Sequence, residues 1–125
     1  MGLKDIEQAG FAEIRLAELD ALSPGEVDAL PYGVVGMAAD GIVVVYNVAE
    51  ANLAGIAAST VMGSHYFAET AQCMNNFMVA QRFEDEPEID AVIDYVLTLR
   101  MRPTPVRLRL LKSATVARRF VLIQR

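Results

Sequence analysis

From Ile89 to Met101 the chain alternates without a break. Ile89, Ala91, Ile93, Tyr95, Leu97, Leu99 and Met101 hold the odd positions; Asp90, Val92, Asp94, Val96, Thr98, Arg100 and Arg102 hold the even ones. Side chains of a strand point alternately to its two faces, so this spacing predicts one long, half-buried strand. Pro103-Thr104-Pro105 turns it, and Val106, Leu108 and Leu110 continue the apolar face with Arg107 and Arg109 opposite. A second turn near Ser113 leads to the last strand, Arg119 to Gln124. Three strands in succession, joined by short connections, imply an antiparallel meander.

The preceding segments complete the sheet. Tyr32 to Ala38 reads as a strand, Ala39-Asp40-Gly41 as a turn and Ile42 to Tyr46 as a strand buried on both sides, together a hairpin. Short helices follow. Asn47 suits an N-cap, Gly55 and Gly63 are stop signals, and Ala57 to Met62 forms a small helical piece. Cys73-Met74-Asn75-Asn76 opens a longer helix with Phe77, Ala80 and Phe83 on one side, ended by Glu84-Asp85-Glu86-Pro87. At the N-terminus, Ile6, Phe11, Ile14, Leu19 and Leu22 give an apolar stripe to a helix over 3–22. Ser23-Pro24-Gly25-Glu26 then restarts a short one as a capping box with proline at the first helical position. These segments hold too few apolar residues to close a core alone. The expected organisation is one α+β domain: a helical cap over 1–30, then a core over 31–125 built as a five-stranded antiparallel sheet with helices on one face.

Charge is unevenly placed. The net charge is −5, yet from Arg100 onward there are eight basic residues and no acid, and all sixteen acids precede that point. The arginines lack the interleaved aromatics of a nucleic-acid surface. They are spaced along strands, on the face away from the helices, so an acidic amphipathic cap docked on a basic sheet face satisfies both halves. Exposed ion pairs are each worth about 0–1 kcal/mol, so the expected hold is modest and salt-sensitive. No apolar stretch reaches the ~18 residues of a membrane span. No secretory apolar segment opens the chain, so the expected location is the cytoplasm.

Chemistry-bearing residues are few. Cys73 is the only cysteine and His65 the only histidine, which excludes an intrachain disulfide and a multi-thiolate metal site; a haem would need only one axial ligand. No phosphate loop, nucleophile elbow or metalloprotease motif occurs, and an enzyme built on Cys73 would have only His65 as a histidine base. Met62, Met74, Met78 and Met101 suit core gaps. Tyr46 and Glu50 lie four apart and share one face of a helical path. A phenol, a carboxyl and a lone thiol can then line one pocket. Each also has a plainer reading: Cys73 as a buried structural residue, Glu50 as an exposed helix carboxylate, Tyr46 as a core residue with its hydroxyl at the rim.

Asp40-Gly41, Asn47, Ala49, Leu53 before Gly55, and Val61-Met62-Gly63 followed by Phe67 resemble a PAS domain. The stretch from Pro31 to Phe83 resembles, more specifically, the photoactive yellow protein family of bacterial blue-light receptors. Tyr46-Asn47-Val48-Ala49-Glu50 matches the family's Tyr-Asn-x-x-Glu site, Cys73 falls at the spacing of its chromophore-bearing cysteine, and Met101 in a Met-x-Pro-Thr context matches a chromophore-side methionine. The resemblance covers almost the whole chain.

What it implies is a PAS fold and a 4-hydroxycinnamoyl (p-coumaroyl) chromophore, bound as a thioester to Cys73. Tyr46 and a protonated Glu50 would donate hydrogen bonds to its phenolate. Light would isomerise it, Glu50 would give up its proton, and the buried carboxylate left behind would loosen the N-terminal cap. The implied protein is a receptor rather than an enzyme, a monomer or weak dimer, signalling to an unidentified downstream protein without nucleic acid, membrane or metal. The chain also departs from the family pattern. Ala54 replaces a threonine that supports the tyrosine, Ile56 an arginine that shields the pocket, and Gln72 a proline before the cysteine. Leu97 and Leu99 stand where aromatics are frequent, leaving Tyr66 as the pocket aromatic. Ala54 and Ile56 keep a second reading open: a PAS-like ligand-sensing or interaction module with no covalent pigment.

Overall fold

The computed structural model describes residues 10–98 and 102–125. Helices α1 (Leu16–Ala21) and α2 (Pro24–Asp28) come first, then strands β1 (Gly33–Met37) and β2 (Val43–Tyr46). Helices α3 (Val48–Ala54) and α4 (Ala58–Val61), a π-helical turn (Tyr66–Thr70), a 3-10 turn (Gln72–Met74) and α5 (Ala80–Asp85) follow. Strands β3 (Ile89–Leu97), β4 (Thr104–Ser113) and β5 (Val116–Gln124) close the chain. The sheet order is β2-β1-β5-β4-β3, with all neighbours antiparallel. This is an α+β PAS fold, as the resemblance implies, with the antiparallel meander that the alternation predicts.

The alternation of β3 holds over Ile89–Leu97, with Asp90, Val92, Asp94 and Val96 exposed between inward residues. Leu99, Arg100 and Met101 lie outside the described residues. Thr104 and Pro105, expected in the turn, already pair with Leu97 and Val96 at the start of β4. β2 is not buried on both sides: it sits at the sheet edge, where Val44 is exposed. β1 is the strand buried along its whole length, because it runs inside the sheet and both its faces are covered.

Two apolar clusters flank the sheet. On one side Val35, Val106, Leu108, Leu110, Val121 and Ile123 meet Tyr46, Val61, Tyr66, Phe67, Met74 and Phe83. On the other, Val34, Leu111, Phe120 and Leu122 meet Phe11, Ile14, Leu19, Val27 and Leu30. The second cluster is the cap, and it corrects the expected ionic hold. Apolar burial is worth roughly 1.5–3 kcal/mol for a large side chain, and five such residues outweigh surface ion pairs. Charge plays a supporting part. The buried Arg109 guanidinium donates to the Phe11 and Ile14 carbonyls and to the Asp90 carboxylate, while Arg118 pairs with Asp20 at 2.6 Å. Arg118 also donates to the Asp20 carbonyl, so two basic residues grip the cap by its backbone.

Local signals hold where they are local. Ser23 and Glu26 form the reciprocal capping box, and Asn47 caps α3 through the Glu50 amide at 3.1 Å. Gly55 ends α3 in the left-handed region, φ 71°, which glycine adopts without steric cost. Two helix expectations fail. The helix expected over 3–22 is described only from residue 10, and there it is a turn until Leu16, where the Glu18 carboxylate accepts the Arg15 amide and sets the start. The helix expected to open at Cys73 begins at Ala80. Asn76 spends its side chain on the Met78 amide, the Cys73 carbonyl and the Tyr95 hydroxyl, and such local bonds compete with a helix. Phe77 is consequently 80% exposed.

Candidate functional site

Every segment that meets at the site arrives for a local reason. The Asn47 carboxamide is buried and fully used: Oδ1 accepts from the Val34 and Glu50 amides, and Nδ2 donates to the Val27 and Tyr32 carbonyls. It fixes the first turn of α3 against both the sheet and the cap. The Asp28 carboxylate adds a bond by accepting from the Val48 amide, at 3.0 Å. Glu50, three residues past the cap, then points inward and is fully buried. Its carboxyl lies against β1: a side chain on Gly33 would place Cβ 2.1 Å from Glu50 Oε1. Only glycine leaves that slot open.

Burial pushes the Glu50 carboxyl above the usual range, and the Arg125 guanidinium pulls it back. Arg125 donates to Oε1 from Nη1 at 2.7 Å and to Oε2 from Nη2 at 3.3 Å. Tyr46, at the end of β2, is buried too; desolvation and then the Glu50 charge raise its phenol. Tyr66, from the π-helical turn, is wholly buried, and its hydroxyl finds no hydrogen-bond partner among the described residues. Desolvation raises it well above the ordinary range, followed by the fields of Glu50, Tyr46 and Cys73. Tyr46 and Tyr66 lie in one buried cluster, with Cys73 packed against it.

Cys73 is part-buried in the 3-10 turn and packs against the same core as Ile56 and Tyr95. Its carbonyl is held twice, by the Tyr95 hydroxyl at 2.6 Å and by Asn76 Nδ2 at 3.2 Å. Gln72 anchors the loop by donating to the Ala68 carbonyl at 2.7 Å. That bond restrains the position where proline was expected. Ala54 and Leu97 line a cleft of about 650 Å³ with Leu53, Gly55, Arg102, Thr104 and Arg125.

The structure therefore brings Tyr46, Glu50, Tyr66 and Cys73 together, sets Ile56 and Leu97 in the surrounding core, and puts Ala54 at the cleft. The expected Leu99 and Met101 contacts fall outside the described residues. Two site residues escaped the sequence reading. Tyr95 was legible only as a strand residue, and Arg125 was grouped with the outward arginines. Parity within β5 carried the signal: Val121 and Ile123 face the site-side core, so Arg125 faces it as well, whereas Phe120 and Leu122 face the cap.

Comparison with known proteins agrees with the fold. No family model matches the chain. It is 24% identical over 107 residues to the photoactive yellow protein of Rhodothalassium salexigens, across 83% of this chain and 86% of that one. Identity and coverage are the same for the photoactive yellow protein of Halochromatium salexigens. Among solved structures it is similar to the photoactive yellow protein domain of the sensor histidine kinase Ppr from Rhodospirillum centenum. There the TM-score is 0.79 at 28% identity, over 87% of this chain and 98% of that domain. A PAS domain of an HTR-like protein from Haloarcula marismortui shares the fold at TM-score 0.64 and 15% identity, over 81% and 91% of the two chains. Fold and relatives define a sensory PAS domain. Within that class the chain is similar to photoactive yellow proteins and is a photoreceptor-like domain. Among the described residues, no helix is long and apolar enough to cross a membrane.

Proposed function

We propose that the domain is a blue-light receptor carrying a p-coumaroyl group as a thioester on Cys73. The observation that carries this reading is the buried Tyr66 hydroxyl without a partner, set among Glu50, Tyr46 and Cys73. An unpaired buried hydroxyl costs about 1–3 kcal/mol, and a ligand oxygen at that point would recover it. The residues fit the group: one partly accessible thiol to tether it, and three buried oxygen acids able to donate to an oxyanion, which is very costly to bury without donors. When bound, the p-coumaroyl group supplies blue-light absorption and isomerisation about its double bond.

The chain's own residues do the rest. Cys73 supplies the sulfur, and Tyr95 and Asn76 hold its turn in place. Tyr46, Tyr66 and protonated Glu50 donate. Loss of the Glu50 proton leaves a carboxylate in the first turn of α3, the turn that Asn47 and Asp28 tie to the cap through Val27 and Val48. Charge in that turn loads those bonds, which makes residues 1–30 the output element and an unidentified signalling protein the receiver. Incubating the chromophore-free protein with an activated ester of p-coumaric acid tests the reading. The expected result is a mass gain of one acyl group with new visible absorbance, both lost in Cys73→Ala. An unmodified wild type would overturn it and leave a pigment-free PAS module.

A further inference from the structure

Among the basic residues of the C-terminal third, Arg125 turns to the opposite face of the sheet from the cap-bound arginines. Arg109 and Arg118 serve the cap, but the parity of β5 carries Arg125 to the site side, where it closes on Glu50 with two parallel contacts of 2.7 and 3.3 Å. Both partners are sheltered, the Arg125 side chain 16% exposed and that of Glu50 1%. Guanidinium does not deprotonate in proteins, so a neutral Glu50 would leave a sheltered cation facing a poor acceptor. Gly33 pins the carboxyl from the other side, because its missing Cβ is the space Oε1 occupies. The other ionisable groups around it are the phenols of Tyr46 from β2 and Tyr66 from the π-helical turn. Asp28 is engaged at the Val48 amide. Neither phenol supplies a cation. Among the described residues in contact with Glu50, the only one that holds it charged is Arg125.

We propose that Arg125 is the counter-ion that keeps Glu50 a carboxylate in the chromophore-free domain, and that a buried anion is admitted only when Glu50 takes up one proton and Arg125 lets go. The balance is simple. One proton moves from solvent to a Glu50 oxygen, and Arg125 keeps its charge. It then turns into the cleft of about 650 Å³ that it already lines with Arg102 and Thr104. Arg125 is thus a positioning residue, acting through Glu50 on the oxyanion. It also supplies, from β5, the positive charge that Ile56 lacks in α3's following loop.

The inference rests on the photoreceptor reading for its purpose, but its test needs no chromophore. Infrared titration of the chromophore-free protein reads the carbonyl band of protonated Glu50, identified by its loss in Glu50→Gln. In the wild type the band is expected to be absent at pH 7 and to grow on acidification. In Arg125→Ala the midpoint should move up by about one to three pH units, a 10- to 1,000-fold change in proton affinity. Arg125→Lys, which keeps charge without the planar fork, should fall between. Arg125→Gln keeps a hydrogen-bond donor without charge and should follow the alanine variant, which also covers the case in which alanine unfolds the strand end. A wild-type band already present at pH 7, or one midpoint shared by all variants, would overturn the proposal. Neither result bears on whether Cys73 is acylated, and a failed acylation leaves this titration readable.

Discussion

The two faces of the sheet are built on opposite terms. The cap face is an apolar seam in which Arg109, the one buried cation among the described residues, has Asp90 and two backbone carbonyls as partners. The site face buries a carboxyl and two phenols, and the hydroxyl of one of them, Tyr66, is bound to nothing among the described residues. Both are packed against the same three central strands. Seams of the first kind stabilise; sites of the second kind hold strained electrostatics that a ligand or a proton relieves. The domain is stabilised on one face and poised on the other, and Asn47 joins the two.

If that contrast is right, cutting the cap face should hurt most. Leu19→Ala, at a fully buried position of α1, is expected to cost about 2–5 kcal/mol in urea unfolding. A loss under 1 kcal/mol would mean that the cap is loosely held after all. The opposite sign is expected across the sheet. Tyr66→Phe removes the unpartnered hydroxyl and should raise the stability of the chromophore-free protein by about 1–3 kcal/mol. A destabilised variant would show that the hydroxyl has a partner in solution.

Acidity separates the faces further. The Glu50 carboxyl is raised by burial, so the folded state keeps its proton to a higher pH than the unfolded chain does. Its stabilising contribution is complete below the unfolded carboxyl range, near pH 4.3, and is lost as pH rises through the raised folded value. Denaturation series from pH 4 upward should show wild-type stability falling relative to Glu50→Gln, by at most about 1.4 kcal/mol per pH unit for one proton. Parallel curves for the two proteins would mean that Glu50 titrates alike folded and unfolded. The smallest effect belongs to the ionic part of the cap. Asp20→Asn, which breaks the half-exposed pair with Arg118, should cost under about 1 kcal/mol. Raising salt should erase most of that difference, whereas a cost above 2 kcal/mol would restore charge as the main hold.

Much of this was readable in the chain because the causes are short-ranged. Alternation placed β3, β4 and β5. Ser23 with Glu26 placed α2, and Asn47 with Gly55 bounded α3. Each depends on residues within a few positions of one another, where strand and helix periods or a cap decide the outcome. The same arithmetic brought Tyr46 and Glu50 forward as candidates, while Cys73 stood out as the only cysteine and Tyr66 came forward through the family resemblance. Misreadings arose where side chains took over from period, as when Asn76 broke the helix expected after Cys73, or where position within the sheet mattered, as with the edge strand β2.

What only the tertiary structure decided is how the site is balanced. Arg125 meets Glu50 across 75 positions of sequence, and that meeting depends on β5 running beside β1 in one register, with Gly33 opposite Ile123. A slip of one residue would turn Arg125 to the cap face and leave the carboxyl without its cation. The sequence determined which residues stand as candidates for the chemistry, because local pattern places them on their elements. Whether Glu50 is charged was left to the fold, because charge in a buried site is set by whatever the rest of the chain packs against it.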